Sequence, residues 1–383
     1  MRLDDLSHAD EWGPEKIVTV SDTRTGMRGV LVIDNTARGM GKGGTRMGPA
    51  LTVTEVARLA RVMTWKWAAV DLFFGGAKAG VRFDPASADK EAVLRAFARA
   101  LSSGVPEGYV SGRGMGLTEH DAAVTQDELG GRGTAVGSPR ELGGVPYDQW
   151  GVTGYGVAEA ADEAVRRRGS DLGGARVVIQ GFGAVGAAAA ERLHELGARV
   201  VAVSTAQGAL HAPDGLDVPA LLQARSEWGD ALVRHVGGAE PLAIGEELTL
   251  PADVLIPAAR QDVVDVAAAR DLSAAVVVEG ANLALTPKAQ AVLAERGVSV
   301  VPDFIANAGG VVAAAYAMDA RSSVFPVEPG PIRAAVSERL RANTLHILDE
   351  AERGALTSHE AARRLAERRV RTAMEIRGRV PSP

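Results

Sequence analysis

The sequence predicts an α/β protein of two domains. An N-terminal α/β domain is expected over residues 1–145, a doubly wound parallel sheet over residues 146–330, and C-terminal helices over residues 331–383 that pack back on the first domain. Three observations carry this reading. A chain of 383 residues exceeds what one hydrophobic core usually serves. Short apolar strands alternate with helical periodicity along most of its length. A glycine-rich turn, Gly181-Phe182-Gly183-Ala184-Val185-Gly186, follows an apolar strand and opens a helix, which is the setting of a Rossmann-type βαβ unit.

Taken in order, residues 16–21 and 27–34 read as two strands around the turn-forming run Asp22-Thr23-Arg24-Thr25-Gly26, a hairpin. From residue 52 to 70 the positions Val53, Val56, Leu59, Ala60, Met63 and Trp67 recur at helical spacing, with Thr52 or Thr54 available as a cap. A strand around 79–83, a helix over 88–101 and an extended stretch at 108–110 follow. Thr118 with Asp121 three residues on resembles a helix cap with an acidic first turn. In the second domain a helix over 150–168 leads into strand 175–180, the glycine turn, helix 185–196 and strand 199–203. Apolar strands at 254–256, 275–278 and 299–301 extend the same sheet.

Composition narrows the chemistry. Hydrophobic residues at 46% and charged residues at 23% are those of a globular chain. A formal charge of −6 offers nucleic acid or an anionic membrane no broad basic surface, so small molecules are the expected partners. The absence of cysteine removes disulfides and thiolate chemistry. The seven histidines, His8, His120, His194, His211, His235, His346 and His359, include no pair at helical ligand spacing, and no metal is expected. Residues 1–10 carry acids and no signal-type apolar core, and no later run approaches the ~18 apolar residues of a membrane span, which predicts a cytoplasmic protein.

Only six of the 42 basic residues are lysines, and three of them, Lys42, Lys66 and Lys78, fall within one glycine-punctuated stretch. A chain that otherwise uses arginine has placed amines there. Lysine, unlike arginine, can lose its proton near neutral pH when it is buried or set beside another cation. The three are expected on a strand end, a helix end and a glycine turn, where they could converge on one anion. The neighbouring pairs Gly43-Gly44 and Gly75-Gly76 would let a substrate approach the backbone.

The glycine turn points to a dinucleotide. Gly181 permits the tight turn, Gly183 lets the backbone approach a pyrophosphate at the helix N-terminus, and Gly186 lets the helix pack on the sheet, with Phe182, Ala184 and Val185 completing the site. The end of the following strand reads Ser204-Thr205, where NAD enzymes often carry an acid for the ribose. A carboxylate that would repel a 2′-phosphate is missing, which tilts the cofactor toward NADP over NAD without deciding it.

These residues carry a resemblance. The runs Gly41-Lys42-Gly43-Gly44-Thr45-Arg46, Met63-Thr64-Trp65-Lys66, Gly75-Gly76-Ala77-Lys78, Val152-Thr153-Gly154, Glu279-Gly280-Ala281-Asn282 and Pro302-Asp303-Phe304-Ile305-Ala306-Asn307-Ala308-Gly309-Gly310 resemble the signatures of the glutamate, leucine, phenylalanine and valine dehydrogenase family, over roughly residues 30–320. The resemblance implies an NAD(P)-dependent enzyme that interconverts an L-amino acid with a 2-oxo acid and ammonia, commonly as a homo-oligomer. It implies that Lys66 holds the substrate α-carboxylate and that Lys78 is the catalytic lysine. Lys42 matches the lysine with which glutamate-type members receive substrate. Thr153, Asn282 and Asn307 match positions that contact nicotinamide, ribose or nearby substrate.

Two departures qualify it. Gly114, in Gly112-Arg113-Gly114-Met115-Gly116, stands where the family carries a catalytic aspartate, and Ala314 stands where glutamate-specific members present a serine to the distal carboxylate. Gly114 is expected to leave room for a water, a larger amine or a substrate side chain. The alternative is a catalytically silent NAD(P)- or metabolite-binding homologue that acts as a sensor or partner subunit.

Overall fold

The computed structural model describes residues 9–105 and 107–380; His8 and most of the acidic stretch 1–10 lie outside them. The protein divides into two compact units. The first holds the chain up to Pro146 together with Val311–Glu328 and the residues from Leu365 onward. The second holds Tyr147–Gly310 and Pro329–Arg364.

The first unit is built on β1 (Lys16–Asp22), β2 (Met27–Asn35), β3 (Gly41–Met47), β4 (Gly75–Val81) and β5 (Tyr109–Gly112), with α1 (Val53–Ala69) between β3 and β4, α2 (Lys90–Leu101) between β4 and β5, and α3 (Glu119–Glu128) after β5. The sheet order is β1-β2-β4-β3-β5, antiparallel as far as β4 and parallel across β4, β3 and β5. The hairpin forms as its turn residues predict. Thr52 caps α1 by accepting from the Glu55 N–H, and Thr118 with Asp121 forms a full capping box on α3. Strand β3 has no counterpart in the sequence reading, because Gly-Lys-Gly-Gly-Thr-Arg-Met shows no alternation of apolar residues. Pairing on both edges, with β4 and with β5, makes it a strand. Lys78 therefore sits in the middle of β4 rather than in a glycine turn, and Lys42 is the second residue of β3.

The second unit contains α4 (Val152–Arg167), β6 (Arg176–Gln180), α5 (Ala184–Glu195), β7 (Arg199–Thr205), β8 (Gly208–His211), α6 (Val218–Trp228), β9 (Glu240–Leu242), β10 (Val254–Pro257), α7 (Val266–Asp271), β11 (Val276–Val278), α8 (Pro287–Glu295), β12 (Ser299–Val301) and α9 (Asp303–Ala306). The sheet order is β12-β11-β10-β6-β7-β8-β9, parallel from β12 to β7. From β6 the chain steps out to β7 and later returns to the other side of β6 at β10. That reversal is the topological switch point beside which doubly wound sheets bind ligands. Here the carboxyl end of β6 runs directly into Gly181.

The C-terminal helices are α10 (Gly309–Ala320), α11 (Pro329–Gly354) and α12 (Ser358–Ile376). They do not pack as one block on the first unit. Helix α11 belongs to the second, because the carboxylates of Glu159 and Asp162 are buried on α4 and Arg341 of α11 pairs with both at 2.6 Å. Removing one partner of a buried pair leaves an uncompensated charge, so α11 is held where its arginine is needed. The later part of α12 belongs to the first unit, where Arg369 donates to the carbonyls of Ala68 and Ala69 at the C-terminus of α1, 2.8 Å each. From Val311 onward α10 also lies with the first unit. Among the described residues no helix is long and apolar enough to cross a membrane.

Candidate active site

In the first unit, strands β3 and β4 and helix α1 gather three lysines. Lys42 and Lys66 are buried and Lys78 is partly accessible. Burial, then the charges of Arg321 and Lys78, pushes the Lys42 amine down to about 7. Burial, then Arg46 and Lys66, pushes Lys78 down to about 8. Among the described residues, no carboxylate charge acts on either amine. Such a cluster is costly to hold in a folded chain and is relieved by an anion, the arrangement of a receptor for a carboxylate. An amine titrating near 8 can also give and take protons at working pH.

Two cations in this site carry no signal in the sequence. Arg46 is visible there only as the end of a motif; it pairs with Glu55, and its charge reaches Lys78. Arg321, just past the end of α10, is anchored by donating to the Gly133 carbonyl at 2.7 Å and the Met318 carbonyl at 3.0 Å, and its charge reaches Lys42. It stands seven residues, two helical turns, beyond the buried Ala314. Helix α10 thus carries an apolar wall, and the turn at its C-terminus a guanidinium.

The glycines beside the lysines serve packing more than substrate access. A Cβ on Gly43 would lie 1.7 Å from the Ala77 carbonyl oxygen, and one on Gly76 would lie 2.0 Å from the Thr64 hydroxyl. Gly114 corrects an expectation more sharply. A Cβ there would lie 2.5 Å from the Thr45 carbonyl oxygen, so the spot where a side chain would begin is filled by the backbone of β3, and the lack of a side chain vacates no space there. The loop is tied to that strand, since the Met47 N–H donates to the Met115 carbonyl at 2.9 Å. The acids that follow are committed elsewhere. Glu119 pairs with Arg113 at 3.7 Å, and Asp121 accepts from Lys90 at 2.6 Å while closing the capping box.

In the second unit the remaining motifs converge on the N-terminus of α5. Gly181 turns at φ +96° with Ala259 packed against it, and a Cβ on Gly186 would strike the Gly181 carbonyl at 1.9 Å. A Cβ on Gly183 would meet nothing within 4 Å, which leaves a bare backbone cradle at a helix N-terminus that fits a dinucleotide pyrophosphate. Gly154 packs against the Val185 carbonyl and Gly280 against Val185 itself. Gly310 abuts the Thr153 hydroxyl, and the Asn307 amide donates to the Gly280 carbonyl and to Asn282 Oδ1, both at 3.2 Å. Thr153, Asn282 and Asn307 are thereby set around the glycine turn. Ser204 is buried and accepts from the Gly181 N–H at 3.0 Å, and Thr205 donates to the Asp230 carbonyl at 2.7 Å. Sequence reasoning missed the pair under this floor: Glu279 is fully buried and hydrogen-bonded to His359, whose affinity for a proton is raised by Glu279 against the opposing effect of burial.

Comparison with known proteins agrees with this geometry. The family described as Glutamate/Leucine/Phenylalanine/Valine dehydrogenase matches residues 143–378, and the Glu/Leu/Phe/Val dehydrogenase dimerisation domain matches residues 14–130. Glutamate dehydrogenase A2 of Halobacterium salinarum is 37% identical over 99% of this chain and 95% of its own. An NADP-specific glutamate dehydrogenase of the same organism and an NAD-specific one of Staphylococcus aureus are 38% and 37% identical, each over 72% of this chain and 68% of its own. Among solved structures, the hetero-hexameric glutamate dehydrogenase of Thermus thermophilus in a leucine-bound form superposes with a TM-score of 0.88 at 34% identity, covering 98% of this chain and 93% of that one.

Proposed function

The chain belongs to the glutamate/leucine/phenylalanine/valine dehydrogenase family, and on that premise we propose that it is an NAD(P)-dependent dehydrogenase of an acidic amino acid. It would interconvert glutamate, water and NAD(P)⁺ with 2-oxoglutarate, ammonium, NAD(P)H and a proton. The single observation that carries the acidic substrate is the Arg321 guanidinium, pinned to the Gly133 and Met318 carbonyls, whose charge reaches the buried Lys42 amine; Asp319 acts on Arg321, and among the described residues no carboxylate charge acts on Lys42. Ala314 cannot donate a hydrogen bond, and Arg321, just past the end of the helix that carries Ala314, supplies what a serine would have offered.

In this reading the first unit binds the substrate and the second binds NAD(P). Lys66 holds the α-carboxylate, Lys42 and Arg321 hold the distal carboxylate, and Ala314 and the sealed backbone at Gly114 form walls. Residues 181–186 hold the pyrophosphate, Ser204 and Thr205 border the ribose, and Thr153, Asn282 and Asn307 border the nicotinamide end. NAD(P) held by residues 181–186 would supply the hydride acceptor for the amino acid α-carbon, and in the reverse direction the hydride donor to the imine. In deamination, neutral Lys78 accepts a proton from the water that adds to the imine carbon. The ammonium form then gives that proton to the carbinolamine nitrogen, and the neutral amine so restored accepts the carbinol hydroxyl proton as the C–N bond breaks and ammonia leaves; the ammonia takes this last proton and departs as ammonium. With no carboxylate in the run from Gly112 to Leu117, Lys78 is the only titrating group assigned to these steps. The match to a dimerisation domain supports a homo-oligomer.

Two results test this reading. Arg321→Met raises KM for 2-oxoglutarate about 10- to 100-fold and leaves a monocarboxylic 2-oxo acid such as 2-oxoisocaproate unaffected, because only a distal carboxylate loses its charge-assisted partner. Equal losses on both substrates contradict it. The pH dependence follows from the direction of the Lys78 shift. Its affinity for protons is lowered to about 8, so the base form grows as pH rises through that value. Deamination kcat/KM rises with pH to a plateau above about 8, and amination kcat/KM falls over the same range. Profiles without a step between about pH 7 and 9 would remove Lys78 from the proton transfers.

One observation favours a second reading, a silent partner subunit in a mixed oligomer: Gly114 has no space for an acid, and the nearby acids are committed. The Thermus relative is described as a hetero-hexamer.

A further inference from the structure

A βαβ dinucleotide unit seats the adenine ribose where its second strand ends, and a carboxylate there accepts from the two ribose hydroxyls of NAD. In this chain that strand is β7, and its end is closed by its own hydrogen bonds. Ser204 Oγ accepts from the Gly181 N–H at 3.0 Å, and the Ser204 carbonyl accepts from the Phe182 N–H at 2.6 Å. The Thr205 hydroxyl donates to the Asp230 carbonyl and accepts from the Gln207 N–H at 3.1 Å. Neither side chain replaces a carboxylate. A cation reaches the corner instead. Arg225, eighth residue of α6, extends to the glycine turn and donates from Nε to the Phe182 carbonyl at 3.0 Å. Phe182 is the residue whose N–H is bonded to Ser204, so the guanidinium, the turn and the end of β7 form one hydrogen-bonded corner.

Resting on the reading of residues 181–186 as the dinucleotide turn, we infer that Arg225 receives the 2′-phosphate of NADP(H) and that this chain prefers NADP(H) to NAD(H). Its Nε is spent on the backbone, which fixes the plane of the fork. Among the described residues the two Nη groups make no hydrogen bond and pair with no carboxylate. Of the acids nearby, Asp230 gives its backbone carbonyl to Thr205, and Glu227 accepts from Gln223 at 2.9 Å. A planar fork with free N–H groups suits a phosphate, whereas the uncharged ribose hydroxyls of NAD find no acceptor of equal strength here.

The test is calorimetric titration of the full chain with 2′,5′-ADP and with 5′-AMP, which differ by the 2′-phosphate alone. The wild type is expected to bind 2′,5′-ADP about 10- to 100-fold more tightly, and Arg225→Ala to lose that preference while 5′-AMP binding stays within about threefold. Arg225→Lys, which keeps the charge without the fork, is expected to fall between them and serves if the alanine variant does not fold. Equal binding of the two nucleotides by the wild type overturns the inference, as does a variant that keeps the preference. Parallel weakening of both ligands also overturns it, since Arg225 would then only brace the turn. Fluorescence titration with NADH and NADPH separates the two levels: binding of neither defeats the dinucleotide reading itself, and equal binding of both defeats only the role of Arg225.

Discussion

Replacing Lys78 with methionine is expected to lower kcat about a thousandfold while leaving the protein folded and able to bind NAD(P)H. The size follows from the proton transfers it carries, because general acid-base catalysis contributes about 10² to 10⁴ and no carboxylate is assigned beside Lys78 to take over part of the load. The sign of the stability change is equally specific. An amine held down to about 8 by burial and by the charges of Arg46 and Lys66 is favoured as a cation in the unfolded chain more than in the folded one. Below about pH 8 the folded protein bears that cost in full, and it fades as pH rises toward the ordinary lysine value. Lys78→Met removes it, so the urea midpoint of the variant at pH 7 should equal or exceed that of the wild type. A variant that keeps a tenth of the activity would show that the proton transfers run through another group.

The second large effect concerns Gly114. Introducing the acid that the family pattern suggests, Gly114→Asp, is expected to cost about 2–3 kcal/mol of stability and to bring no gain in rate. A Cβ 2.5 Å from the Thr45 carbonyl oxygen is inside any real contact, and the neighbour is strand backbone rather than a flexible side chain. Strand β3 would have to shift, and β3 carries Lys42 and runs beside Lys78 on β4. Gly114→Ala separates the causes, because it adds the collision without the charge and should cost about as much. Urea unfolding of both variants with steady-state rates checks this. An aspartate variant with an unchanged midpoint and a raised kcat would mean that the loop can withdraw from β3 and that only the carboxylate was missing.

Much of the fold is legible in the sequence alone. Period-two and period-3.6 patterns locate the hairpin, α1 and the strands of the second sheet, and Thr118 with Asp121 marks its cap, because each is a local matter of a few residues. The glycine turn can be read because its geometry demands glycine at fixed offsets. Strand β3 is hidden: glycines carry no facing signal, and its burial comes from partners on both edges that lie 34 and 68 residues away in register. The same holds for the role of Gly114, whose neighbour is a carbonyl 69 residues earlier. Arg321 and Arg225 are two arginines among many in a chain rich in them. What distinguishes each is a backbone carbonyl, Gly133 for one and Phe182 for the other, that pins the guanidinium near a site. The division of the C-terminal helices follows the buried carboxylates of α4 and the end of α1, neither of which is visible as periodicity.

The most direct test of the central claim is the oxidation of NAD(P)H by the purified chain, as the sole polypeptide present, with 2-oxoglutarate and ammonium. Catalysis by the lysine cluster predicts steady turnover that Lys78→Met abolishes and that monocarboxylic 2-oxo acids support far more weakly. An absence of turnover in a sample that binds both NAD(P)H and 2-oxoglutarate would contradict it and leave the chain as the silent partner of a catalytic relative.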